Sequence, residues 1–260
     1  MKDIVEVLRQ TLQDAGAVLH EGFRSRETAY EHKGAVDLVT KWDMQSEQVI
    51  RERVLKHFPG HALFGEEGGG AFTREGYLWV VDPLDGTTNF VHKHPYYCVS
   101  IACCKDGAPI AGGVYAPETG ETFIAERGGG AYCNDERIHV SAVSRLTDAL
   151  FVTGYPYKRE GKIERAQTIL ANALCSVQCI RRMGSAALDL CHVASGMFDV
   201  YIEFDLRPWD VAAGALILQE AGGMISLCDG GDFRVERGEV VATNGRIHTA
   251  AFEQILAGVS

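Results

Sequence analysis

The segment Tyr77-Leu78-Trp79-Val80-Val81-Asp82-Pro83-Leu84-Asp85-Gly86-Thr87-Thr88 constrains this chain more than any other. Its apolar, β-favouring run, bounded by Gly76 and Pro83, predicts a short buried strand over 77–81 whose C-terminal end delivers Asp82. Asp85 follows three residues later on a sharp turn, so both carboxylates can point at one centre. Without a cation they would repel, and one would stay protonated at neutral pH. Oxygen ligands of this kind suit Mg²⁺, which prefers a few carboxylates together with water and phosphate oxygens. Gly86-Thr87-Thr88 leaves backbone N–H groups unobstructed at a predicted helix start, an anion cradle beside the cation site. The pair suggests phosphate chemistry, although an isolated D-P-x-D-G also serves as an ordinary turn.

Three further acidic segments bear on that choice. In Phe64-Gly65-Glu66-Glu67-Gly68, flanking glycines would let the backbone approach a ligand closely; a solvated loop reads the same way. In Asp37-Leu38-Val39-Thr40-Lys41-Trp42-Asp43, Thr40 and Asp43 mark a helix N-terminus, and Asp43 is either a cap or a site acid. Trp209-Asp210-Val211-Ala212-Ala213-Gly214 opens an apolar helix, where the dipole favours an acid with or without a metal.

Around these motifs the apolar pattern divides the chain into an α+β half, 1–147, and an α/β half, 148–260, expected to form one compact unit. Ile4, Leu8, Leu12, Ala15, Leu19 and Phe23 predict a helix over 3–24, and a second spans 43–57, ended by Pro59-Gly60. Apolar runs at 97–104, 110–115 and 121–126, joined by Asp106-Gly107 and Thr119-Gly120, predict an antiparallel meander. Beyond residue 148 strands and helices alternate: strand 150–154, helix 161–173, strand 177–181, helix 185–195, strand 198–204, helix 209–220, strands 224–228 and 239–243, and helix 248–257.

Composition narrows the function classes. The 260 residues, 46% of them apolar, are ample for a sizeable core. A formal net charge of -10 argues against a surface built to coat nucleic acid or anionic membrane. The eight cysteines form no CxxC pair and sit mostly in apolar strings, which reads as small buried hydrophobes in a reducing cytoplasm, not a disulfide framework or a zinc site. Met1 to Arg9 alternates charged and apolar residues, so neither a secretory leader nor a membrane span is expected. His92-Lys93-His94 reads as a surface loop, Arg181-Arg182 as a solvated pair, and Cys191 and His192 as structural residues of a core helix.

Four separated segments resemble the inositol monophosphatase family: Asp37-Leu-Val-Thr40-x-x-Asp43, Gly65-Glu66-Glu67, Asp82-Pro-Leu-Asp85-Gly-Thr-Thr-Asn-Phe90 and Trp209-Asp210-Val-Ala-Ala-Gly214. Further likeness runs from Gly184-Ser185-Ala186-Ala187 through Glu203 and covers the helix ending Glu220-Ala221-Gly222-Gly223, so the match spans nearly the whole chain. The resemblance implies the layered α-β-α-β-α sandwich of the sugar phosphatase (inositol monophosphatase and fructose-1,6-bisphosphatase) superfamily, with two or three Mg²⁺ ions per site. Glu66, Asp82 and the Leu84 carbonyl would hold one ion, Asp82, Asp85 and Asp210 a second, and Glu66 a weaker third. Asp43 and Thr87 would orient and deprotonate the attacking water, with Glu66 counted among the catalytic acids. Gly86, Thr87 and Thr88 would grip the phosphate; Asp85, Gly184, Ser185, Ala186, Glu203 and Asp210 would meet the rest of the substrate. Lys33, or His32 in a competing alignment, resembles the base of a mobile loop.

The implied activity is Mg²⁺-dependent, lithium-sensitive hydrolysis of myo-inositol 1-phosphate by a cytoplasmic homodimer. Fructose 1,6-bisphosphate, another sugar or polyol phosphate, or a protein-binding role in transcription or RNA processing are the alternatives. A small phosphorylated polyol or sugar is the expected partner, with no membrane and no direct nucleic-acid contact.

Overall fold

Apolar side chains at every third or fourth position give α1 (Lys2–Arg24) one buried stripe, Ile4, Leu8, Leu12, Ala15 and Leu19. The computed structural model describes residues 2–25, 29–33, 38–156 and 160–259. After a short antiparallel pair, β1 (Tyr30–His32) and β2 (Leu38–Thr40), helix α2 (Lys41–His57) starts on a capping box. Thr40 is the N-cap, and Asp43 bonds back to it. The buried Ile50 and Val54 of α2 join the α1 stripe.

These two helices cover one face of a seven-stranded sheet in the order β3 (Ala62–Gly65), β4 (Tyr77–Asp85), β5 (Cys98–Lys105), β6 (Ala108–Ala116), β7 (Glu121–Glu126), β8 (Gly130–Cys133) and β9 (Glu136–Arg137). Only β3 and β4 run parallel; the rest is the expected meander. Strand β4 is buried on both faces. Trp79 and Val81 face α1 and α2, while Leu78 and Val80 face the opposite core, so its sequence reads as a continuous apolar run.

On that opposite side lie α5 (Ala186–Ala194) and α6 (Pro208–Glu220). Residues 211–218 of α6 are buried without interruption, as a helix between two sheets requires. The second sheet has the order β11 (Cys179–Arg181), β10 (Leu150–Thr153), β12 (Val200–Phe204), β14 (Glu239–Thr243) and β13 (Met224–Ser226). Its β11-β10-β12 part is parallel and the remainder antiparallel. The outer face is covered by α4 (Ile163–Ser176) and by α7 (His248–Ala250), which continues as a wider, π-type turn over Ala251–Ile255. Helix, sheet, helix, sheet, helix is the layering that the family resemblance implies.

Two local differences have physical causes. Strand β4 does not stop at Val81 but runs through Pro83 to Asp85. Its parallel neighbour ends where Gly65 pairs with Val81, and the register against β5 shifts between Asp82 and Asp85. Pro83, which has no N–H to give, therefore sits in a bulge past the end of β3. The cysteine reading also needs amendment: Cys98, Cys103, Cys104 and Cys191 are buried, but Cys175 and Cys179 are exposed. No described helix is long and apolar enough to cross a membrane.

Candidate active site

The β4 bulge brings Asp82 and Asp85 to one end of the large sheet, and a five-residue helix, α3 (Thr87–Val91), begins directly after them. Gly86 caps it at φ 93°, in the left-handed region that glycine adopts without a Cβ penalty. The first turn-closing bond is Phe90 N–H to Gly86 O, which leaves the Thr87 and Thr88 N–H groups without an intrahelical acceptor. Asp210 arrives at the third residue of α6, behind Pro208, and its Oδ2 accepts the Arg207 N–H at 2.6 Å. Glu66 arrives on the loop after β3. Glu66, Asp82, Leu84, Asp85, Gly86, Thr87, Thr88, Gly184, Ser185, Ala186, Glu203 and Asp210 all line one cleft.

Each acid is held by the protein in a definite way. The Leu84 N–H donates to Asp82 Oδ1 at 3.0 Å. Asp85 Oδ2 accepts both the Ser185 hydroxyl and the Ala187 N–H, each at 2.7 Å. Thr87 Oγ1 lies 3.2 Å from Asp43 Oδ1 and 3.0 Å from the Leu84 carbonyl oxygen, while Asp43 Oδ2 accepts the Thr40 N–H at 2.9 Å and its hydroxyl at 2.6 Å. Asp43 is thus both helix cap and neighbour of the site, and the two readings open in the sequence hold together. Lys33 Nζ donates to Glu66 at 3.2 Å and to Glu67; His32, by contrast, packs edge-on against Tyr30. Asp37, the first acid of its motif, lies outside the described residues.

The electrostatics share one cause. Burial pushes Asp82 and Asp210 well above the ordinary carboxylate range; Glu66, Asp85 and Asp210 reinforce this at Asp82, and Asp85 does so at Asp210. Asp85 is also raised by burial, against the bonds from Ser185 and Ala187 that favour its charge. Burial raises Glu66 to about 7, opposed by Lys33 and aided by Glu67, and raises Asp43 to about 6 against its bonds from Thr40. Lys33 is lowered by its own burial, but Glu66 and Glu67 outweigh that and leave it above its usual value. Among the described residues no three His, Cys, Asp or Glu side chains are drawn onto a single point. The four acids instead stand apart around one cleft, close enough to raise one another. An all-oxygen donor set whose members repel one another fits hard divalent cations, and a cation there would favour the ionised form of every one of them.

Several residues at or around the cleft escape a reading by motif. Arg181 and Arg182 are both exposed, as expected of a solvated pair, but only Arg182 also lines the cleft, close enough to favour charge on Asp85 and Glu203, while Arg181 bonds its local backbone. Ser185, expected to meet substrate, turns its hydroxyl inward to Asp85 and caps α5. The buried Glu47 accepts the Glu67 and Gly68 N–H groups at 2.8 and 2.7 Å, fixing the loop that carries Glu66. Ser46 donates to the Pro83 carbonyl at 2.9 Å, and Asn89 donates to the carbonyls of Tyr96 and Met183. A signal for Ser46 and Glu47 existed: they share the inward stripe of α2 with Ile50 and Val54. The His92–His94 loop serves packing through Lys93, whose ammonium donates to the carbonyls of Phe23 and Ser25 at the end of α1.

Known proteins resemble this chain over nearly its whole length. The model of the inositol monophosphatase family matches residues 1–259. An inositol-1-monophosphatase of Rhizobium meliloti is 40% identical over 254 residues, covering 97% of this chain and 96% of its own. The Nus factor SuhB of Pseudomonas aeruginosa is 39% identical over 269 residues, covering 100% and 96%. The solved inositol monophosphatase of Anabaena (Nostoc) superposes with a TM-score of 0.90 at 37% identity, over 100% of this chain and 97% of the other.

Proposed function

Because the chain belongs to the inositol monophosphatase family, we propose that it is a Mg²⁺-dependent phosphomonoesterase that hydrolyses myo-inositol 1-phosphate or a closely related polyol phosphate. The observation that carries this reading is the shared cleft. Glu66, Asp82, Asp85 and Asp210, from three distant segments, line it together with the Gly86–Thr88 backbone.

Glu66, Asp82, Asp85 and Asp210, with the Leu84 carbonyl, would hold two or three ions. Bound Mg²⁺ supplies Lewis acidity: it makes water more acidic and takes up charge on the phosphoryl and leaving oxygens. The chain's own groups do the rest. The N–H groups of Gly86, Thr87 and Thr88 bind the phosphate. The Thr87 hydroxyl, bonded to Asp43 Oδ1, orients the attacking water and passes its proton to Asp43. With a pKa of about 6, Asp43 is ionised at neutral pH and basic enough to act. Glu203, Asp210 and the 184–186 turn would bind the polyol hydroxyls, with Lys33 reaching in from the β1–β2 segment.

A panel of phosphate monoesters compared by kcat/KM in millimolar Mg²⁺ tests this, with fructose 1,6-bisphosphate and glycerol phosphates as the competing arms. Asp85→Ala should lower activity by orders of magnitude; near-normal phosphate release by that variant at saturating Mg²⁺ would refute the ligand assignment. Inhibition by Li⁺, a homodimer and a cytoplasmic location complete the reading.

The name of the Pseudomonas aeruginosa relative favours a second role, in transcription. With a net charge of -10, such a role would act through protein contacts and not through nucleic acid. Capture of RNA polymerase that persists in Asp85→Ala would separate the two functions.

A further inference from the structure

Glu203 owes its position to a side chain that is absent. Gly154 directly follows β10, which pairs in parallel with β12 so that Thr153 lies opposite Ile202; the next step places Gly154 beside Glu203. A Cβ built on Gly154 would fall 2.0 Å from both Glu203 carboxylate oxygens and 2.1 Å from Cδ. The carboxylate is therefore centred where residue 154 would otherwise carry its first side-chain atom. Two residues before Glu203, on the same face of β12, the fully buried Tyr201 donates its hydroxyl to Glu203 Oε2 at 2.7 Å. The carboxylate thus lies against bare backbone on one side and is tethered by a phenol on the other. Neither Gly154 nor Tyr201 belongs to the acid constellation.

We propose that Gly154 and Tyr201 are positioning residues that set the selectivity of the cleft for polyol esters, by seating the Glu203 carboxylate where it can accept hydroxyl groups of the substrate. The proposal rests on the polyol phosphatase reading above. It differs from a general structural role in one respect: it predicts a loss confined to substrates that offer a hydroxyl to Glu203. Gly154 has no left-handed backbone angle, so alanine can adopt its conformation. The clash it creates is with the flexible end of a side chain, so the carboxylate moves and the fold stays.

The test compares myo-inositol 1-phosphate with p-nitrophenyl phosphate, an ester without hydroxyls, in wild type, Gly154→Ala and Tyr201→Phe. For Gly154→Ala the polyol KM should rise roughly tenfold or more, the change expected when one hydrogen bond to a charged group is lost. Its kcat/KM on p-nitrophenyl phosphate should change less than about twofold, and its melting temperature by no more than a few degrees. Tyr201→Phe adds no volume and should shift the same ratio in the same direction. Adding Glu203→Asp to Gly154→Ala shortens the carboxylate by one methylene, makes room for the Cβ, and should restore part of the polyol preference. A wild-type-like ratio between the two esters in both single variants, or a parallel loss on both esters, overturns the proposal. A wild type with no preference for the polyol ester overturns the underlying functional reading, and this inference with it.

Discussion

At the scale of single residues, the site acids are distinguished by what holds them. Asp85 presents its Oδ2 to two donors at 2.7 Å, the Ser185 hydroxyl and the Ala187 N–H. Contacts of this kind orient a ligand oxygen, and losing one typically costs about 10–100-fold in metal affinity. Ser185→Ala is therefore expected to weaken Mg²⁺ binding roughly tenfold or more, measured by calorimetric titration, with a much smaller loss of turnover at saturating Mg²⁺. Unchanged affinity would mean that the Ala187 N–H alone orients the carboxylate. Thr87 should show the opposite split, because its hydroxyl sits between Asp43 and the Leu84 carbonyl and not on any of the four carboxylates proposed to hold metal. Thr87→Ala should lower kcat about a hundredfold or more while Mg²⁺ affinity stays within a few-fold, and Thr87→Ser should recover most of the rate. Full turnover in Thr87→Ala would remove the hydroxyl from the proton path.

Between elements, the seat of α2 against α1 decides where Asp43 stands, since Asp43 is in the first turn of α2. Trp42, the adjacent residue, lies across Gly22 of α1: a Cβ there would come within 2.4–2.8 Å of three indole atoms. The indole is rigid and 8% exposed, so it cannot swing clear as a flexible side chain would. Overpacking against a rigid indole should cost Gly22→Ala about 2–3 kcal/mol, the upper part of the usual range, against the ~1 kcal/mol that alanine contributes as a better helix former, for a net loss of about 1–2 kcal/mol. A thermal melt should show the midpoint several degrees lower; an unchanged or raised midpoint would mean the helices part without cost. Elements and site differ in how legible they are in the sequence. The α1 stripe, the β5–β7 meander and the alternation after residue 148 can be read because each is a local periodicity. Asp43, Asp82, Asp85 and Asp210 can be read because each sits at punctuation, a cap, a Pro turn or a helix start. Ser185 with Asp85, 100 residues apart, and Glu203 against Gly154 carry no such mark, because a contact across elements leaves no period in either segment. The bulge that carries β4 through Pro83 is hidden for the same reason: it depends on where β3 ends.

For the whole molecule, the cleft gathers carboxylates from both sheets and from α6 between them, with Asp43 of α2 beside it, and their shared repulsion couples folding to protons and cations. Asp43 keeps its proton in the folded chain to about pH 6, and Glu66 and Glu203 to about pH 7, chiefly through burial, against ordinary values of 3.8 and 4.5. Between those limits the native state binds more protons than the unfolded one, so the free energy of unfolding falls as pH rises. This stabilising contribution is complete below the unfolded values and lost as pH passes the folded ones. His61 and His248, lowered by burial, act in the opposite sense, but they are two groups against the raised Asp43, Glu66, Asp82, Asp85, Asp189, Glu203 and Asp210. In a chelating buffer the melting temperature should therefore fall from pH 5 to pH 8. Millimolar Mg²⁺ should raise it most at pH 8, where the acids are ionised, because a ligand that binds only the native state stabilises it by mass action. The two histidines cannot produce that second effect, so the difference between the chelated and Mg²⁺ curves isolates the acids. Parallel curves across this range would mean that the carboxylates do not share a cation site, however closely they share the cleft.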